Sequence, residues 1–181
     1  MTLDGTLFVE DGQPWMVYCH EWIQVTNGTF EAIRLKPDLS ASVGEPILLF
    51  RASQAPWITT WDAKPDDKPR VFVSDGPFFY RTKTGRLLML WSSWQEDGQY
   101  AETVAYSLSG RLIGPWRQAA PLLTDNSGHG MIFTTFDGRL MLVVHHPTMS
   151  PQSRTRLHEL EDTGDALRLK NPDPKPIPTN N

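Results

Sequence analysis

Cysteine is nearly absent from this 181-residue chain. Cys19 is the single one, so no internal disulfide can form, and its apolar strand setting reads as a buried, inert thiol. An excess of charge of one sign is lacking too. The net charge is -4, from 17 Lys and Arg against 21 Asp and Glu, and no basic stripe runs along the chain. A phosphate backbone would find no electrostatic footprint, so no nucleic-acid partner is expected. No apolar run approaches the roughly 20 residues that cross a bilayer as a helix, and no membrane partner is expected either. Met1-Thr2-Leu3-Asp4 shows no signal-peptide pattern and passes straight into a strand phrase, which suggests missing upstream sequence and leaves the compartment open. No helical period persists beyond about two turns. What remains is an ordinary folded composition, 39% hydrophobic and 21% charged, on a chain long enough to bury a core.

What the chain does contain is one strand phrase used three times. It reads Leu3-Asp4-Gly5-Thr6-Leu7-Phe8-Val9, then Ser74-Asp75-Gly76-Pro77-Phe78-Phe79-Tyr80, then Gly128-His129-Gly130-Met131-Ile132-Phe133. Each copy runs into a Gly-containing turn (Asp11-Gly12, Thr84-Gly85, Asp137-Gly138) and then a second apolar strand. Alternating strands follow at Thr29–Leu35, Pro46–Phe50, Tyr100–Ser107 and Thr155–Leu160, with a short partner at Ala166–Leu169. The segment from Arg51 to Arg70 carries Pro56, Pro65 and Pro69 and reads as a connecting or functional loop. Hairpins and alternation alone say antiparallel all-β, and a sandwich gives much the same pattern. The repeat favours a β-propeller, whose blades gather the starts of their innermost strands around one axis. On that reading Asp4, Asp75 and His129 meet in one pocket. The expected organisation is a partial propeller over residues 1–169, with blades near 1–55, 70–120 and 125–169, and a Pro-rich extended tail over 170–181.

The wording of the repeats resembles glycoside hydrolase family 43, five-bladed propeller enzymes acting mainly on arabinose- and xylose-containing polysaccharides. The phrase at Asp4 with Asp11-Gly12 is similar to that family's third blade. Ser74-Asp75-Gly76-Pro77, Leu90-Trp91-Ser92-Ser93 and Gly114-Pro115-Trp116 resemble its fourth, and Gly128-His129-Gly130 with His145-His146-Pro147 its fifth. The likeness covers roughly residues 3–147, in the family's order, and nothing here corresponds to blades one and two. It implies an inverting glycosidase acting on plant polysaccharide. Members are often secreted or periplasmic.

Inverting hydrolysis needs a protonated and an ionised carboxyl group on opposite sides of the sugar. Carried over, the resemblance gives Asp75 the general-acid position and Asp4 that of the carboxylate tuning the acid's pKa. His129 takes the place of an axial histidine near a metal or ordered water. Asp75 stands where the family has Glu, one methylene longer, so the proton would sit further from the glycosidic oxygen. The family's base lies on the first blade and has no counterpart, with Glu21 as the rival carboxylate in this chain. The residues alone leave plainer roles open: Asp before Gly is often a turn former, and His between glycines a tight turn. Seven Trp suit either strand packing or stacking on sugar C–H faces, and Trp57, Trp61 and Trp94, with His145, are the candidates for substrate contact. No cofactor is required on this reading, and a structural calcium near the axis is the metal that the resemblance implies. Alternatives are a non-catalytic carbohydrate-binding remnant, or a subunit that self-associates or takes an N-terminal partner chain to complete the ring.

Overall fold

A computed structural model describes residues 1–61 and 70–171; all but the first two residues of the tail expected over 170–181, and part of the Pro-rich loop, lie outside the described residues. Among the described residues the chain forms three antiparallel four-stranded sheets. The first holds β1 (Thr2–Glu10), β2 (Gln13–His20), β3 (Thr29–Leu35) and β4 (Ser42–Arg51) in chain order. The second holds β5 (Asp75–Arg81), β6 (Leu87–Trp94), β7 (Tyr100–Ser107) and β8 (Trp116–Gln118), again in order. The third runs β9 (Gly128–Thr134), β10 (Leu140–His146), β11 (Arg154–Asp162) and β12 (Leu167–Leu169). Each is a meander in which neighbours in sequence pair, because each connection is a short turn. Among the described residues helix is limited to one turn at Trp22–Val25 and a 3-10 turn at Ala52–Gln54. Among the described residues no helix is long and apolar enough to cross a membrane.

The three sheets are blades of a partial β-propeller, with first strands β1, β5 and β9 packed side by side. The middle blade explains a detail of the sequence. Strand β6 begins with the unbroken apolar run Leu87-Leu88-Met89-Leu90-Trp91, which is buried throughout. Successive side chains of a strand point to opposite faces, so Leu87, Met89 and Trp91 enter one core while Leu88 and Leu90 enter the other. The first core joins them to Phe8, Val17, Phe30, Ala32 and Phe50 of the first blade. The second joins them to Ile132, Leu142, Val144 and Leu160 of the third. Among the described residues the flanking blades are covered on one face only. Their other faces leave Leu7, Val9 and Leu48 exposed on one side and Met131, Phe133 and Leu157 on the other.

At the end of the blades far from the entry points of β1, β5 and β9, buried carboxylates join neighbouring blades. Glu10, at the end of β1, accepts the Leu112 N–H of the second blade at 2.9 Å. Asp162, at the end of β11, accepts the Tyr80 hydroxyl at 2.9 Å and the Lys83 N–H at 2.8 Å, both from the second blade, and its own loop's Gly164 N–H at 2.7 Å.

Candidate active site

The repeated phrase departs from regular strand at its polar residue or one step after it. Asp4 has φ 53° and His129 φ 55°, and in the middle copy Gly76, one step after Asp75, has φ 60°. The left-handed region costs non-glycine residues energy and persists where the surroundings over-determine it, often at functional sites. Register breaks accompany the kinks, between Leu3 and Thr6 in β1 and between Asp75 and Phe78 in β5. A bulge at a strand's entrance re-aims its side chain, here toward the other two blades.

Asp4, Asp75 and His129 consequently meet, their nearest ligand-type atoms all within 4.8 Å of one another. His129 Nδ1 lies 3.2 Å from Asp75 Oδ1 and its Nε2 3.8 Å from Asp4 Oδ1. Gly76 N–H donates to Asp4 Oδ2 at 3.4 Å, and Tyr100 O–H donates to Asp75 Oδ2. The group is open to solvent, the His129 side chain being 41% exposed.

Charge is shared unequally. Burial, then the neighbouring Asp75, raises the Asp4 pKa to about 6. Burial also pushes Asp75 upward, but hydrogen bonds from His129, Asp4 and Tyr100 outweigh it and hold this carboxyl below the ordinary value. His129 is raised to about 9 by its hydrogen bond to Asp75, against the opposing effect of burial. At neutral pH the site therefore holds an imidazolium paired with an ionised Asp75, and the carboxyl that takes up a proton first is Asp4. Calcium takes six to eight oxygen ligands. These side chains alone do not fit it: Asp4 and Asp75 offer carboxylate oxygens, but the third group is a ring nitrogen, and the three fall short of a full oxygen shell.

The other expected site residues divide. His145 lies near the cluster, its ring 6.2 Å from His129 and 5.9 Å from Tyr100. Burial, then the charge on His129, lowers its pKa. Trp94 meets Tyr100 edge-on at 5.0 Å, and Trp61 stacks on Trp94 at 5.6 Å with planes 7° apart. The pair lines a hollow of about 350 Å³ with Thr59, Arg70 and Glu96. Trp57 packs instead on Trp91 at 5.4 Å, against the first core. Glu21 is buried at the entry to the Trp22–Val25 turn and, among the described residues, makes no hydrogen bond or ion pair with Asp4, Asp75 or His129.

Two residues escaped the sequence reading, Tyr100 and Glu102 of β7. Both are buried, and both reach the β9 phrase from the neighbouring blade. The signal was a carboxylate inside Tyr100-Ala101-Glu102-Thr103-Val104, where a buried charge needs partners.

The comparisons with known proteins agree with this fold. The model for glycosyl hydrolases family 43 matches residues 1–170. An endo-arabinase from Bacteroides thetaiotaomicron superposes with TM-score 0.83 at 39% identity, over 92% of this chain and 58% of that one. A thermostable family-43 glycoside hydrolase gives 0.71 at 20% identity, over 99% and 62%. An endo-1,4-beta-xylanase from Bacteroides thetaiotaomicron gives 0.68 at 17%, over 94% and 58%. No curated protein matches. The chain thus spans about three-fifths of the length of these solved relatives. A three-blade arc whose strand entrances bring Asp4, Asp75 and His129 together, matched along nearly its whole length by the family model, belongs to glycosyl hydrolases family 43.

Proposed function

We propose that this chain carries the proton-donating side of an inverting glycosidase whose complete propeller cleaves arabinose- or xylose-containing plant polysaccharide. The observation that carries the reading is the convergence of Asp4, Asp75 and His129 from three blades. The endo-arabinase and endo-1,4-beta-xylanase among the similar structures support the sugar class. Asp75 is the donor position, and Asp4 beside it, raised to about 6, takes up the pair's proton as pH falls through that value. Bond cleavage draws that proton through Asp75 to the departing glycosidic oxygen while water attacks the anomeric carbon from the opposite face.

The base that takes water's proton is missing from the cluster. An inverting pair stands roughly 6.5–9.5 Å apart to leave room for the water. Asp4 and Asp75, with oxygens within 4.8 Å, are too close to be that pair. The lone chain is accordingly expected to bind sugar and not to turn it over. Trp61 and Trp94 cover one face of each other, so their outer faces are the stacking platform for further sugar rings. The exposed apolar faces of the first and third blades are where a second copy, or an N-terminal partner chain completing the ring, would pack.

The test is an NMR titration of the isotope-labelled chain with linear arabino- and xylo-oligosaccharides. Ring signals of His129 and His145 and the Trp94 indole should move with at least one sugar, without product. No movement at millimolar concentrations of either sugar counts against the reading. Binding that never becomes cleavage even with the ring completed would favour a carbohydrate-binding module, the reading to which the stacked Trp pair lends support.

A further inference from the structure

Strand β9 threads His129 between two glycines, and each glycine leaves room for one side chain of the neighbouring blade. A Cβ on Gly128 would collide with the Tyr100 ring, and one on Gly130 would lie 2.9 Å from the carboxyl carbon of Glu102. Tyr100 and Glu102 are two apart on β7, so they reach toward β9 on the same side. Tyr100 acts on the site directly, through Asp75. Glu102 touches none of the three cluster side chains. Its Oε2 accepts the Ser92 hydroxyl at 2.6 Å and the Gly130 N–H at 2.9 Å. Ser92 Oγ in turn accepts the His129 N–H at 2.8 Å. Both amides flanking the left-handed His129 backbone are therefore tied, directly or through one hydroxyl, to a single buried carboxyl.

We propose that Glu102, acting through Ser92, is a positioning residue that fixes the kink at His129 and so aims its ring between Asp4 and Asp75. It is held for this purpose as a neutral acid. Glu102 has no exposed surface, and no cation approaches it within ion-pair distance among the described residues. Its Oε1 is buried without a hydrogen-bond partner, a poor setting for a carboxylate. Burial raises its pKa to about 8, against the opposing effect of the Ser92 and Gly130 bonds. A neutral group holds the backbone without adding a third negative charge beneath Asp4 and Asp75. The inference uses the proposed function only in treating His129 as a site residue.

The test reads the His129 ring by NMR in the full chain, where Asp4, Asp75, His145, Tyr100 and Glu102 are the titratable groups around it. Glu102→Gln keeps an oxygen to accept both bonds and stays neutral, so His129 should keep a pKa near 9. Glu102→Leu removes both acceptors, and His129 should fall by about one unit or more toward the ordinary value of about 6.5. Ser92→Ala loses only the relay and should give a smaller fall in the same direction. If Glu102→Leu prevents folding, the contrast between Ser92→Ala and Glu102→Gln decides. A His129 pKa unmoved in every folded variant overturns the proposal. This readout needs no substrate, so its outcome is independent of whether the chain binds or cleaves sugar.

Discussion

At His129 a left-handed backbone, two carboxylates and a hydroxyl from the next blade come together, and the protonation of its ring is linked to folding. Its pKa is about 9 in the folded chain, against about 6.5 unfolded. The folded state then binds more protons between those values. The stabilisation is complete below pH 6.5 and is lost as pH rises through 9. Urea unfolding across pH 6.5–9 should show stability falling with pH, and His129→Gln should flatten the slope. Glu102 adds a fall of the same sign, from about 4.5 unfolded to about 8 folded, and Glu102→Gln should remove it. The Gln variant gains on the parent as pH rises, by on the order of 4 kcal/mol between acid pH and pH 8. At the glycines, Gly130→Ala places a methyl 2.8 Å from Leu142 Cδ1 and 2.9 Å from the Glu102 carboxyl carbon. It should cost about 1–3 kcal/mol in urea melts, as overpacking does. Asp4, Asp75 and His129 were legible in sequence because each sits in a repeated phrase with glycine beside it. Tyr100 and Glu102 were not, because their roles depend on which blade lies next to β7, and no local pattern encodes that.

Strand β6 and the far-end carboxylates set how the blades hold together. Trp91 is fully buried and meets Phe30, Phe50 and Trp57 at 5.4–5.8 Å. Trp91→Ala should destabilise by about 3–5 kcal/mol, measured by urea unfolding, and loosen the first and second blades together. Asp162 accepts bonds from Tyr80, Lys83 and Gly164. Burial pushes its pKa up, but those donors outweigh burial and hold it below the ordinary value. A depressed carboxyl contributes stability that is present above its unfolded pKa and lost as pH falls through the folded one. Asp162→Ala should therefore weaken the chain at neutral pH and erase part of its acid sensitivity. The strands were the most legible layer, because apolar alternation and Gly turns are local signals. The pattern at Tyr100–Ser107 has the same bounds as strand β7. Strand β4 runs over Ser42–Arg51, longer than the Pro46–Phe50 pattern in the sequence, because its first half is exposed and lacks the apolar residues that mark a strand.

For the whole molecule, the arc of three blades leaves two apolar faces outward among the described residues and places the Asp4, Asp75 and His129 cluster where solvent reaches it. Sedimentation should show association that strengthens with concentration, and Leu7→Lys together with Met131→Lys should weaken it while preserving the fold, since both side chains are about half exposed. The three-blade count was legible from the repeats, and the family from their wording. Which faces stay uncovered follows only once the sheets are seen to share two cores. The most direct measurement is hydrolysis of arabinofuranoside and xyloside p-nitrophenyl substrates and of the matching oligosaccharides by the purified chain, beside Asp75→Asn. Neither protein is expected to release product. Release by the parent that Asp75→Asn abolishes would contradict that expectation, because a base would then be at work within this chain.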